Sequence, residues 1–97
     1  MIAVLDTSAA VEVVLKRESA TLFSHFLAEA DLVIAPNILI AEATNVFWKY
    51  RELSNYTYDV CEKSIDHIVS LPDEYVNERD LISGVIQIGV YDGPFNL

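Results

Sequence analysis

The chain alternates short, unbroken apolar runs with longer segments whose apolar residues recur every three or four positions. Residues 2–5 (IAVL) and 32–35 (LVIA) are runs of strand length with no polar position to face water. Strands of that kind are buried on both faces and belong to parallel sheets covered by helices. Residues 74–77 predict a third, shorter strand after a turn at Pro72 and Asp73. The helical period predicts helices over residues 9–15, 20–30, 36 or 37 to 51, 56–70 and 79–89. Leu22, Phe23, Phe26, Leu27 and Ala30 form the buried stripe of the second, with Ser19 as its cap. Ile38, Leu39, Ala41, Val46, Phe47 and Tyr50 supply the buried side of the third. Val60, Cys61, Ile65, Ile68 and Val69 do so in the fourth, where Asp59, Glu62 and Asp66 read as a solvated face. Pro36 ends the second strand because proline cannot donate to a ladder. Ser54 and Asn55 punctuate the boundary between the third and fourth helices.

The order strand, helix, helix, strand, helix, helix, strand, helix predicts one small α/β domain, spanning residues 1–97, with a short parallel sheet. Open sheets of this class place ligands beyond the carboxyl ends of their strands. Asp6 directly follows the first strand and is followed by Thr7 and Ser8. Any of the three also suits the cap of the next helix, and both readings stand at this point. Glu42 falls one turn after Ile38 and one turn before Val46, on the apolar stripe itself, with Asn45 sharing its face. Glutamate is almost never fully buried unless paired. Glu42 therefore either lies at the edge of the stripe and reaches water, or faces a metal or cationic group. Neighbouring parallel strands bring Asp6 and Glu42 toward one sheet edge, and Asp92 joins them if its segment returns to the first strand. Carboxylates so gathered repel one another unless a cation neutralises them. Mg²⁺ or Mn²⁺, hard and oxygen-seeking, is the natural choice, and it activates water beside a phosphate.

Composition narrows the function classes. At 53 % hydrophobic the chain can bury a real core, and no run approaches the length of a membrane span. A single cysteine, Cys61, excludes an internal disulfide and fits a reducing cytoplasm. No Cys/His cluster has the spacing of a structural zinc site, and His25 and His67 read as surface or packing residues. Six Lys and Arg against fifteen Asp and Glu give a net charge of −9. That balance excludes a broad basic footprint for nucleic acid. A polynucleotide substrate would need a bound divalent metal or a basic partner to bring its phosphates in.

LDTSA at residues 5–9, PNILIAEATNVFWK at residues 36–49 and VYD at residues 90–92 together resemble the three signatures of PIN-domain ribonucleases. The likeness is greatest to the VapC-type toxins of prokaryotic toxin–antitoxin pairs. A haloacid-dehalogenase motif fits worse, because it needs a second aspartate where this chain has Ser8. The resemblance implies a PIN-like three-layer α/β/α fold and Mg²⁺- or Mn²⁺-dependent hydrolysis of RNA phosphodiester bonds. It assigns Asp6, Glu42 and Asp92 as catalytic acidic metal ligands. Thr7 or Ser8 would orient metal or phosphate through a hydroxyl, and Asn45 would support the site. It further implies a cytoplasmic homodimer silenced by a cognate antitoxin whose tail occupies the acidic groove. Helix aromatics such as Phe47, Trp48 and Tyr50 are available to cover such an interface.

The segment from Asp80 to Asp92 is shorter than is usual in the family. After Asp92 the chain runs Gly93-Pro94-Phe95 and ends at Leu97. The family's final strands are therefore expected to be missing, as in a truncated or frameshifted product. Two functions follow as expectations: a toxin endoribonuclease, or a non-catalytic PIN-like protein that dimerises or binds an antitoxin.

Overall fold

The computed structural model describes residues 1–82. The elements in order are β1 (Ile2–Val4), α1 (Thr7–Val14), α2 (Ala20–Glu29), β2 (Leu32–Pro36), α3 (Leu39–Leu53), α4 (Tyr58–Ser70), β3 (Glu74–Val76) and α5 (Glu78–Ile82). The architecture is mixed α/β: three parallel strands in the order β1-β2-β3, and five helices among the described residues. Ile2 pairs with Leu32 and Val4 with Ile34, while Ile34 pairs with Glu74 and Pro36 with Val76. Pro36 is the last residue of its strand, and Asn37 N–H donates to Val76 C=O at 2.9 Å just beyond it. That is the strand end a proline allows.

Alternation along the strands separates two apolar clusters. Ala3, Leu5, Val33 and Ala35 pack with Ala9, Ala10 and Val11 of α1, Leu39, Ala43 and Phe47 of α3, and Cys61 and Ile68 of α4. Phe23 and Leu27 of α2 adjoin the same cluster. Strands laid down in sequential order with right-handed crossovers place successive helices on one face, and α1 to α4 share one core accordingly. Val4 and Ile34 form the second cluster, flanked by Leu32 and Val76. Both are buried, but Ile2, two residues before Val4 on the same face, is 53 % exposed, so β1 meets solvent at its start where the sequence predicts burial on both faces.

The helices depart from the sequence-based expectation in phase more than in place. In α3 the buried residues are Leu39, Ala43 and Phe47, a strict four-residue repeat, with Val46 and Tyr50 half-buried. Ile38 precedes the helix and is 48 % exposed, and Ala41 is exposed. Val60 in α4 and Leu22 in α2 are likewise exposed, and α2 buries no residue fully. Ser19 makes no side-chain cap; its N–H instead donates to Glu12 Oε2 at 3.2 Å. The effective cap of α4 is Thr57, whose hydroxyl accepts from Val60 N–H at 3.2 Å. Asn55, at φ 58°, makes the left-handed turn before it, a conformation asparagine tolerates better than most residues.

Asp73 ties β3 to the sheet. Its N–H donates to Val33 C=O at 2.7 Å and its Oδ2 accepts from Val33 N–H at 2.8 Å. Tyr75 adds a hydroxyl bond to Val69 C=O at 2.7 Å, and burial raises its pKa. At the same, amino-terminal end of the sheet, between β1 and β2, the Met1 amino group pairs with Asp31 Oδ2 at 2.6 Å. Among the described residues no helix is long and apolar enough to cross a membrane.

Candidate functional site

The carboxyl ends of β1 and β2 each lead within three residues into a helix, α1 or α3. Both helix N-termini therefore open at the same sheet edge, where unpaired N–H groups and the helix dipole favour negative charge. Asp6 is half-buried in the turn after β1, with extended backbone. Its Oδ1 accepts from Ala9 N–H at 2.8 Å, so Asp6 is the N-cap of α1. This is one of the two readings the sequence leaves open, and it uses a single carboxylate oxygen.

Thr7, the first residue of α1, is half-buried, and its Oγ1 donates to Glu42 Oε1 at 2.8 Å. That bond links the strand-end motif to a residue 35 positions away. It brings together three of the residues singled out from the sequence: Asp6, its neighbour Thr7, and Glu42. Glu42 lies in the first turn of α3 and is exposed. The buried stripe runs through Ala43, one residue on and about 100° around the helix, so Glu42 falls at the stripe's edge. At that edge its carboxylate is open to water and equally to a cation. Ser8 is exposed beside Thr7. Asn45 is exposed on α3, and among the described residues its side chain makes no hydrogen bond. Asp92 lies outside the described residues. His25 and His67 are exposed, as a surface role requires.

A cavity of about 260 Å³ opens between α1 and α3 from Thr7 and Ser8 toward Arg17, with Val11, Glu12, Val46 and Tyr50 completing its walls. Another, of about 220 Å³, lies between α3 and α4, lined mainly by Phe47, Trp48, Tyr58, Cys61 and Ile65. It contains none of the candidate acids. Cys61 is buried there and donates its thiol to Phe47 C=O at 3.3 Å.

Two further residues, one at this edge and one at the far end of the Thr7 cavity, carry no motif signal. Glu78, at the start of α5, accepts from Ile38 N–H at 2.7 Å and so occupies the open N-terminus of α3. An acid opening a helix after the third strand is the one clue the sequence offers. Arg17 sits in a polar break that reads as a simple turn, yet its guanidinium lies 5.1 Å from the Tyr50 ring centroid. Among the described residues no group of three or more His, Cys, Asp and Glu side chains is placed to hold a metal ion. The sequence matches no protein-family model, and it matches no curated protein.

Proposed function

We propose that this chain is a metal-dependent endoribonuclease of the PIN type, acting as the toxin of a toxin–antitoxin pair. The observation that carries the reading is the Thr7–Glu42 hydrogen bond. It joins the acid-bearing motif after β1 to the acid-bearing motif after β2, the pairing that the resemblance requires of a PIN site. The donor set suits Mg²⁺ or Mn²⁺, which bind through one or two carboxylates and retain waters and substrate phosphates. Asp6 keeps Oδ2 and Glu42 keeps Oε2 beyond the bonds they already make. These two oxygens are the ones assigned to the metal, with Asp92 as the third ligand by resemblance. Bound there, the ion would polarise a phosphoryl oxygen and lower the pKa of an attacking water.

The chain's own groups have separate parts. The Thr7 hydroxyl fixes the rotamer of Glu42, so that its carboxylate is oriented before substrate arrives. The N-terminus of α1, with no acidic residue in its first turn, offers amides to a phosphate oxygen. Ser8, exposed on the same turn, adds a hydroxyl; by the resemblance, Asn45, one turn along α3, is assigned a supporting part. The finer architecture proposed is the three-layer PIN arrangement. The proposed setting is a cytoplasmic homodimer held silent by a basic antitoxin tail.

The alternative is a non-catalytic PIN-like protein that dimerises or binds an antitoxin. Metal binding and cleavage of a single-stranded RNA separate the two. Asparagine caps helices about as well as aspartate, whereas alanine costs roughly 1 kcal/mol. Asp6→Asn should therefore keep the apo melting temperature and lose both the Mg²⁺-induced rise and cleavage. Asp6→Ala should melt lower even without metal. A saturating ion, at about 100 times its dissociation constant, stabilises the wild type by about 2.7 kcal/mol. A rise in the wild type without cleavage selects the alternative. An equal rise in wild type and Asp6→Asn removes the metal site from both.

A further inference from the structure

We propose that Arg17, at the far end of the cavity that opens at Thr7 and Ser8, binds one backbone phosphate of a single-stranded polynucleotide, displaced along the strand from the bond being cut. The inference rests on the polynucleotide reading above. Four observations carry it.

The first is the turn. Residues 15–17 close α1 with backbone bonds from Leu15 to Val11, Lys16 to Val13 and Arg17 to Glu12, at 3.0, 3.2 and 3.0 Å. Lys16 takes φ 54°, in the left-handed region that disfavours a side chain bearing Cβ. This reverses the chain and lets Arg17 reach back over α3. The second is the seat. The guanidinium lies 5.1 Å from the Tyr50 centroid, and hydrogen bonding to the Tyr50 side chain, with a lesser bond to Tyr56, raises its pKa. Tyr50 is itself held edge-on by Phe47 at 5.6 Å and at a 44° tilt by Tyr56 at 5.3 Å. A guanidinium held over a fixed ring is oriented in advance, and its five N–H donors are enough to serve an anion beside its tyrosine neighbours.

The third is charge. All six Lys and Arg of the chain fall within the described residues, and Arg17 is the cation that lines this cavity. Lys63 is paired with Asp59, and Arg51 lies over Tyr58. Glu12 shares the cavity, but its Oε2 takes the Ser19 amide, so that carboxylate is turned toward the backbone of the reversal. The fourth is reach. The eight residues of α1 span about 12 Å, which separates Arg17 from Asp6 by more than one bonded contact. One cation at that distance suits one phosphate of a flexible strand. A duplex would need the broad basic surface that a net charge of −9 excludes.

The test is fluorescence anisotropy of a labelled mixed-sequence single-stranded RNA over a salt series with Mg²⁺. All proteins carry Glu42→Gln so that the oligonucleotide stays intact. Arg17→Gln should weaken binding about tenfold, as expected for a charge-assisted contact. It should also flatten the slope of log affinity against log salt by about 0.7, the value for one single-strand phosphate. Arg17→Lys should restore the slope and only part of the affinity, because it keeps the charge and loses the fork. A role confined to packing on Tyr50 would lower the melting temperature of both variants and leave the slope alone. An unchanged slope in a folded Arg17→Gln protein overturns the proposal, as does a parent protein that binds no RNA. Arg17-dependent binding together with no cleavage by the wild type would sink the nuclease reading and leave the phosphate contact standing.

Discussion

Asp6 shows how a single carboxylate at a strand end serves local structure and leaves an oxygen for chemistry. A cap within Asp6-Thr7-Ser8 was legible from their place before a helical period, because capping depends only on near neighbours, but that Asp6 is the one, bonded to Ala9, was not. The partner of Thr7 was not legible. A hydroxyl can turn to several acceptors, and only the folded chain brings Glu42 within 2.8 Å. Arg17 was hidden for a similar reason, since cation–aromatic contact leaves no spacing rule in sequence. Asp31 offers a residue-scale prediction. Its hydrogen bond to the Met1 amino group, reinforced by the attraction of that charge, holds its pKa below the ordinary 3.8. A carboxylate depressed in the folded state adds stability that is complete above its unfolded pKa and lost as pH falls through the lower, folded value. The Asp31 contribution should therefore vanish only below about pH 4. A carboxyl titration followed by NMR should place its midpoint below 3.8, and acetylating Met1 should move it back up.

At the scale of elements, the existence and order of eight segments followed from period and punctuation; the structure contains the first seven and the start of the eighth, Glu78–Ile82, while residues 83–89 of that expected helix lie outside the described residues. The phase of α3 did not follow. Ala43 looks neutral between Glu42 and Thr44, so the stripe was drawn through Ile38 and Ala41. Burial instead runs Leu39, Ala43, Phe47, because the small Ala43 lets the helix approach its neighbours. Asp73 is the second lesson. It reads as a turn residue after proline, yet it brackets Val33 with two bonds and so sets where β3 meets β2. Replacing it removes a charged acceptor from a part-buried amide, a loss of about 2 kcal/mol. Asp73→Ala should lower unfolding stability in urea by about that much. Asp73→Asn, which keeps an acceptor oxygen, should cost less than half as much, and equal losses would show that the Val33 bond contributes little.

The whole molecule combines a substantial apolar core with a surface of one dominant sign. Met1–Asp31 and Lys63–Asp59 are close ion pairs between opposite charges. Fifteen acidic against six basic side chains leave a net charge of −9, and its self-repulsion opposes the compact state. Raising salt until the Debye length falls to about 8 Å should screen that repulsion and raise the melting temperature in calorimetry. A lower melting temperature on adding salt would place the balance of charge interactions on the stabilising side instead. The one tryptophan lies outside this core. Trp48 is 60 % exposed on α3, at the wall of the cavity between α3 and α4, beside Phe47, which is buried. Its indole emission therefore belongs to solvent even in the native protein, and unfolding moves its wavelength little. The optical signal that usually reports folding reports here on the surface: a blue shift marks the moment something settles between α3 and α4.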